Sequence, residues 1–322
     1  MRTAVPARKA DGFSRIRVTR LGQALGAEVD AGDLDQVSPE QFQEIHAAWL
    51  QFHVLRFRGV AFDDERFDRF ARRFGPPQPT QMSAHVATRT DLRGPGASSV
   101  RQAARSERYP HIAVVSNVID AGVALGGLGD GELMWHSDQS NNEAPPSATL
   151  LYAVEAPSGQ GRTGFANAQV AWERLPLALR QLVRNLQLKH DGSVDAAGYR
   201  RPDHMAVTDV RTSPGQAHPL VCIHPESGRE CLYLGRRSNS YVLGLSVADS
   251  DALLDQLWGH VTQEQFIWRQ DWRPGDLVVW DNRSVLHQRE AFDPGARRIL
   301  RRIMTQGTKP VAALSNAPVQ SA

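Results

Sequence analysis

The chain has 322 residues, a formal net charge of +2 and 41% hydrophobic residues. It is long enough for a large buried core in one or two domains. There is no apolar run of about 18 residues to cross a bilayer, and no basic run of about five to bind nucleic acid.

Residues 1–14 and 311–322 are rich in Ala, Pro, Ser and basic residues and read as loose tails. The N-terminus is basic but lacks the apolar stretch of a secretory signal, so a cytoplasmic location is expected. Between 15 and 35 apolar and polar residues alternate, which predicts short strands. Ser38-Pro39-Glu40 predicts a helix start, with an N-cap followed by proline. VLRFRGV then reads as a strand, and Asp63-Asp64-Glu65 opens a second helix that ends before Gly75.

Residues 76–110 change character. They are rich in Pro, Gly, Ser and Arg without a clean period. A structureless loop of this length is usually functional or disordered, and the segment reads either as an active-site lid or as a neutral insertion. From 111 onward, short strands alternate with turns, interrupted by two helical stretches, AWERLPLALRQLVRN and VADSDALLDQLWGHV. Many short strands with few helices predict a mainly β protein, a sandwich or jelly-roll with helices outside. The two cysteines, Cys222 and Cys231, flank the turn-like Pro225–Gly228 and could face each other across a hairpin. Two are too few for a disulfide-built fold, so free thiols are expected.

The informative chemistry begins at Trp135-His136-Ser137-Asp138. On a strand, side chains two apart share a face, so His136 and Asp138 can approach one metal ion together. A second histidine, His287, closes the stretch WDNRSVLH. Two histidines and one carboxylate form the ligand set of non-haem Fe(II) oxygenases. Further along, Arg298 and Arg302 are four residues apart and share a face on a strand. A guanidinium grips a carboxylate through two parallel hydrogen bonds, as the distal carboxylate of 2-oxoglutarate requires.

With these pieces in place the chain resembles the taurine dioxygenase and chlorophenoxyacetate dioxygenase family. The resemblance is carried by VLRFRGVAFDDERFDRFARRFGP, WHSDQS, PPSATLLYAVEAPSGQGRTGFAN, HPLVCIHPESGRECLYL and RPGDLVVWDNRSVLHQREAFDPGARRILRR. It implies a double-stranded β-helix (cupin-like jelly-roll) domain over 15–310, with 76–110 as a lid. It implies His136, Asp138 and His287 as iron ligands, and Arg298 with Thr163 at the distal carboxylate of 2-oxoglutarate. Arg302 would bind an anionic group of the substrate. The cofactors implied are Fe(II), 2-oxoglutarate and O2. The implied reaction is hydroxylation of a C–H bond in a small anionic molecule, with release of succinate and CO2. Because Asp138 keeps a carboxylate where related halogenases have a small residue, hydroxylation is favoured over halogenation. A homo-oligomer is likewise implied, with neither nucleic acid nor membrane as partner.

The family's lid histidine for sulfonate has no counterpart in Pro76-Pro77-Gln78-Pro79, and His85 is displaced, which argues against taurine. Lid arginines Arg89, Arg93, Arg101, Arg105 and Arg108 read as a solvated face. Arg236 and Arg237 read either as lining of the pocket mouth or as surface. His46, His53, His190, His218, His224 and His260 read as structural. Trp135 and Trp280 read as packing, and Asp281 and Asn282 as supports of the His287 loop. Other outcomes open at this stage are the same oxidative chemistry turned to desaturation, cyclisation or dealkylation, a zinc hydrolase on the same triad, and a non-catalytic barrel.

Overall fold

In a computed structural model that describes residues 8–79, 101–102, 108–201 and 204–313, two largely antiparallel sheets enclose one apolar layer. The larger has nine strands, with Leu277–Asp281, Ala148–Glu155 and Ile299–Met304 at its centre. The smaller has four, in the order Leu133–His136, Val285–Arg289, Thr163–Asn167, Ile267–Gln270.

The alternation of side chains along each strand decides what goes where. In Ala148–Glu155, Leu150 and Tyr152 face outward, into a cluster with Trp49, Phe52, Phe67 and Phe70 of two covering helices. Leu151 and Ala153 face inward, where they meet Val278, Trp280 and Leu300 of the same sheet and Phe165 and Val285 of the other. The small sheet turns Ala166 and Leu286 outward onto helices Ala168–Glu173 and Val247–Val261. Positions 163, 165, 285, 287 and 289 therefore lie on its inner face, as do 298, 300 and 302 beside the large sheet. Burying Trp280, which is 1% exposed, contributes roughly 2–3 kcal/mol by area alone.

The first two helices begin where the sequence predicts. Ser38 caps Pro39–Phe52 with a reciprocal bond pair to Gln41, and Asp63 caps Asp64–Ala71 by accepting from Arg66 N at 2.8 Å. AWERLPLALRQLVRN is two helices, Ala168–Glu173 and Leu177–Val183. Pro176 separates them, because it forces its predecessor out of the helical region. The expected loose tails give way in two places. Arg8–Lys9 pairs with Arg17–Arg20, and Val311–Ala312 pairs with Cys222–Ile223. Backbone hydrogen bonding to a sheet edge holds both.

Much of the expected lid, 80–100 and 103–107, lies outside the described residues, and so do His85, Arg89, Arg93 and Arg105. At its described ends, Pro77 bridges Thr305 and Arg101–Gln102 pairs with Val123–Ala124. Arg108 ion-pairs with Glu65 at 3.3 Å. Cys222 and Cys231 are direct partners across a hairpin, and both are free and buried.

Candidate active site

His136 ends the strand Leu133–His136, and its register partner across the ladder is His287. The two rings lie 4.1 Å apart, centre to centre. Asp138 is not on the strand. It sits in the turn just beyond it, so strict alternation is not what aims its carboxylate. A turn permits it because Asn282 replaces the missing ladder bonds. The Asn282 side chain accepts from Asp138 N at 2.8 Å and donates to Asp138 O at 3.0 Å and Pro146 O at 3.1 Å. Ser137 Oγ donates to the Asn282 carbonyl at 2.8 Å. The expected support role of Asn282 thus has a definite geometry.

The result is a convergence of three acceptors. His136 Nε2 is 3.9 Å from Asp138 Oδ1, and His287 Nε2 is 3.8 Å from Asp138 Oδ2. The His136 Nδ1–H donates to Met134 O at 2.7 Å, which leaves the Nε2 lone pair pointing inward. Thr149 Oγ1 donates to Asp138 Oδ2 at 2.9 Å. Burial pushes the Asp138 carboxyl up, but His287, Arg302, His136 and Thr149 outweigh it and keep the carboxyl below its usual range. Burial lowers both histidines, and at His136 the facing His287 adds to the effect. A carboxylate and two neutral imidazoles aimed at one point repel one another unless a cation lies between them. The residues present therefore fit a divalent metal, and two nitrogens with one carboxylate suit Fe(II). Among the described residues no other cluster of this kind occurs.

Arg302 approaches the same point, with Nη1 3.6 Å from Asp138 Oδ1. Arg298 faces other groups. Its guanidinium lies over Trp272 at 5.9 Å and Phe292 at 5.7 Å and is 2% exposed. Burial, and then the neighbouring Arg289, lower its pKa to about 9. Thr163 Oγ1 accepts from Trp272 Nε1 at 2.9 Å, which frees its own proton for a ligand. Arg236 and Arg237 separate cleanly. Arg237 ion-pairs with Asp251 and Asp255 at the surface. Arg236 is 5% exposed, bridges His136 and donates to Val194 O at 2.5 Å.

The chain also matches known proteins. Residues 17–304 match the family described as "Taurine catabolism dioxygenase TauD, TfdA family". The chain belongs to the TauD/TfdA dioxygenase family. An alpha-ketoglutarate-dependent 2,4-dichlorophenoxyacetate dioxygenase of Cupriavidus pinatubonensis is 32% identical over 87% of this chain and 94% of its own length. Pentalenolactone F synthase of Streptomyces avermitilis is 31% identical over 89% and 93%. An alpha-ketoglutarate-dependent sulfate ester dioxygenase of Pseudomonas putida is 32% identical over 89% and 88%. The crystal structure of a taurine dioxygenase from Burkholderia xenovorans superposes with a TM-score of 0.70 at 27% identity, covering 93% of each chain. As a TauD/TfdA dioxygenase the protein has a jelly-roll core and uses Fe(II), 2-oxoglutarate and O2.

For this dioxygenase, sequence reasoning missed Trp272, which links Thr163 to Arg298, and Thr149, which steadies Asp138. It also passed over Arg289, although Arg289 stands two residues after His287 on one strand face. The histidines read as structural have protein partners: His53 Nδ1 meets Ser284 Oγ at 3.0 Å, His224 Nε2 meets Asp281 Oδ2 at 2.8 Å, and His260 Nε2 meets Ala171 O at 2.8 Å. His46 Nε2 lies 3.0 Å from Glu226 Oε2. His190 and His218 pack together, 5.2 Å between centroids. No helix among the described residues is long and apolar enough to cross a membrane.

Proposed function

We propose that this dioxygenase hydroxylates a C–H bond of a small molecule carrying an anionic group. Iron is held by His136, Asp138 and His287, 2-oxoglutarate by Arg298 and Thr163, and the substrate anion by Arg302. The observation that carries the reading is Arg302 Nη1 at 3.6 Å from Asp138 Oδ1. A fixed cation beside the metal position sets an anionic group close to the reacting centre. Relatives named for phenoxyacetate and sulfate ester substrates support that substrate class. His136, Asp138 and His287 would hold the iron, and iron with 2-oxoglutarate and O2 would supply the power to oxidise the substrate C–H bond, with succinate and CO2 as coproducts.

The protein's part is geometric. His136 and His287 present nitrogen lone pairs, and Asp138 supplies the charge that neutralises part of the cation. Asn282 and Thr149 fix the carboxylate orientation before the metal arrives. Arg298, over two aromatic faces and away from water, gives a strong grip on a carboxylate. The inner apolar layer of Phe165, Trp280 and Leu300 excludes water from one side of the site. The catalytic domain of the proposal spans 15–310 with 76–110 as its lid, in a cytoplasmic homo-oligomer.

A second reading rests on the 31% identity to pentalenolactone F synthase. The same site would then serve natural-product tailoring, with desaturation, cyclisation or dealkylation as the outcome. One experiment separates these readings. Protein reconstituted anaerobically with Fe(II) and 2-oxoglutarate is exposed to O2 with a panel of small carboxylates, sulfonates and sulfate esters. Substrate-stimulated succinate, absent in His136→Ala, supports the proposal, and product mass tells hydroxylation (plus one oxygen) from desaturation (minus two hydrogens). No succinate with any acid, together with metal-dependent hydrolysis, would overturn it.

A further inference from the structure

Arg289 is a buried cation that the site as described leaves unused. It is 3% exposed and sits on the inner face of Val285–Arg289, two residues beyond His287. Its register partner on the neighbouring strand is Thr163, so both side chains project to the same face. Its Nη2 donates to the carbonyls of Leu128, at 2.9 Å, and Gly131. Its Nε and Nη1 are buried and have no partner among the described residues. The Arg298 Nε is in the same condition. The two guanidiniums share one ring, with Phe292 lying 5.3 Å from Arg289 and 5.7 Å from Arg298. Trp272 closes the circuit by contacting Arg298 and donating to Thr163. At Gly161, whose φ is +58°, an added Cβ would lie 3.1 Å from Phe292 and 3.4 Å from Arg298 Nε. The wall is built tight, and a side chain there would press on it.

Two like charges thus occupy one buried wall. Neither forms an ion pair with a carboxylate among the described residues. Asp130 influences Arg289 only at longer range. Uncompensated buried cations are costly, and a bound anion removes the cost. We infer that Arg289 is a second binding arginine for the distal carboxylate of 2-oxoglutarate, acting beside Arg298 and Thr163. This rests on the cosubstrate site given under Proposed function. Arg289 contributes its charge and a single unused donor, Nε–H or Nη1–H, while its Nη2 stays anchored to the 128–131 loop. A two-arginine wall discriminates a dicarboxylic 2-oxoacid from a monocarboxylic one more steeply than a single arginine, since leaving it empty strands two charges.

The test is titration of Mn(II)-loaded protein, without turnover, with 2-oxoglutarate, succinate and 2-oxobutyrate. The last has the same keto-acid head without the distal carboxylate. Arg289→Gln should weaken 2-oxoglutarate and succinate about tenfold, or ~1.4 kcal/mol, and leave 2-oxobutyrate within about twofold. In turnover, the KM for 2-oxoglutarate should rise by more than kcat falls. Equal weakening of all three ligands would overturn the inference and leave Arg289 as a prop for the 128–131 loop, and unchanged 2-oxoglutarate binding would overturn it outright. If the Gln variant fails to fold, Arg289→Lys keeps the charge but loses the planar fork. The preference for 2-oxoglutarate over 2-oxobutyrate must then fall several-fold, and an unchanged preference counts against the inference. Wild-type protein that binds no 2-oxoglutarate at all would sink the cosubstrate site itself, a different failure.

Discussion

Replacing Asn282 by alanine tests whether the metal site is preformed. Asn282 is 1% exposed and holds the turn after the first ligand strand through three backbone groups, Asp138 N, Asp138 O and Pro146 O. The alanine variant orphans one N–H and two carbonyls in a place water reaches poorly. Each buried group left unsatisfied costs about 1–3 kcal/mol, with carbonyls at the low end. The sum is roughly 3–5 kcal/mol, less whatever a water entering the new space restores. Ser137 keeps its bond to the Asn282 carbonyl, so the loop is loosened rather than released. Urea unfolding of the metal-free proteins measures the stability loss. Fe(II) titration should show affinity about 10–100-fold weaker, the usual effect of losing a group that orients a ligand. Asn282→Asp is the sharper comparison. It still accepts from Asp138 N but sets a carboxylate against two carbonyls, and it should be at least as damaging despite its nearly equal size. An alanine variant within 1 kcal/mol of wild type that binds iron normally would refute the reasoning.

Other outcomes follow from single contacts. Arg302→Gln should raise the KM of the anionic substrate about tenfold or more while changing that of 2-oxoglutarate far less, as read in substrate-dependent succinate release. Thr163→Val leaves the Trp272 indole N–H without its acceptor, so both stability and 2-oxoglutarate affinity should drop, by about 1–2 kcal/mol each. Burial pulls the His53 pKa down to about 4. The unfolded chain therefore binds the extra proton first, and stability should fall as pH drops from about 6.5 to 4, by roughly 3 kcal/mol in all, and stay flat above 7. Urea unfolding across that range, against His53→Asn at this left-handed position (φ 64°), checks it, and parallel curves would exclude His53 as the cause. Burial pushes the Cys231 thiol up to about 12 and raises Cys222. Neither should react with thiol reagents until the protein unfolds, and reductant should leave stability unchanged.

The amino-acid sequence alone determined most of the longer elements, the fold class and the identities of the candidate ligands. Each depends on local signals: alternation in ATLLYAVEA, the Ser38 and Asp63 caps, and the spacing from His287 to Arg298 and Arg302. Alternation also set which side chains face inward, because the pleat has a period of two whatever lies opposite. It could not tell what lies opposite. His136 meets His287 only through a ladder joining segments about 150 residues apart, and Asp138 reaches the same point from a turn because Asn282 replaces the ladder. Arg236 and Arg237 are neighbours of one chemistry, yet one lies beside the ligand strand and the other pairs with the helix Val247–Val261. The partnership of Arg289 and Arg298 about one phenylalanine is likewise absent from any local pattern. Only the tertiary structure decided these matters, because a side chain's burial and its partners are set by the strand across the sheet, whose register is a property of the whole fold.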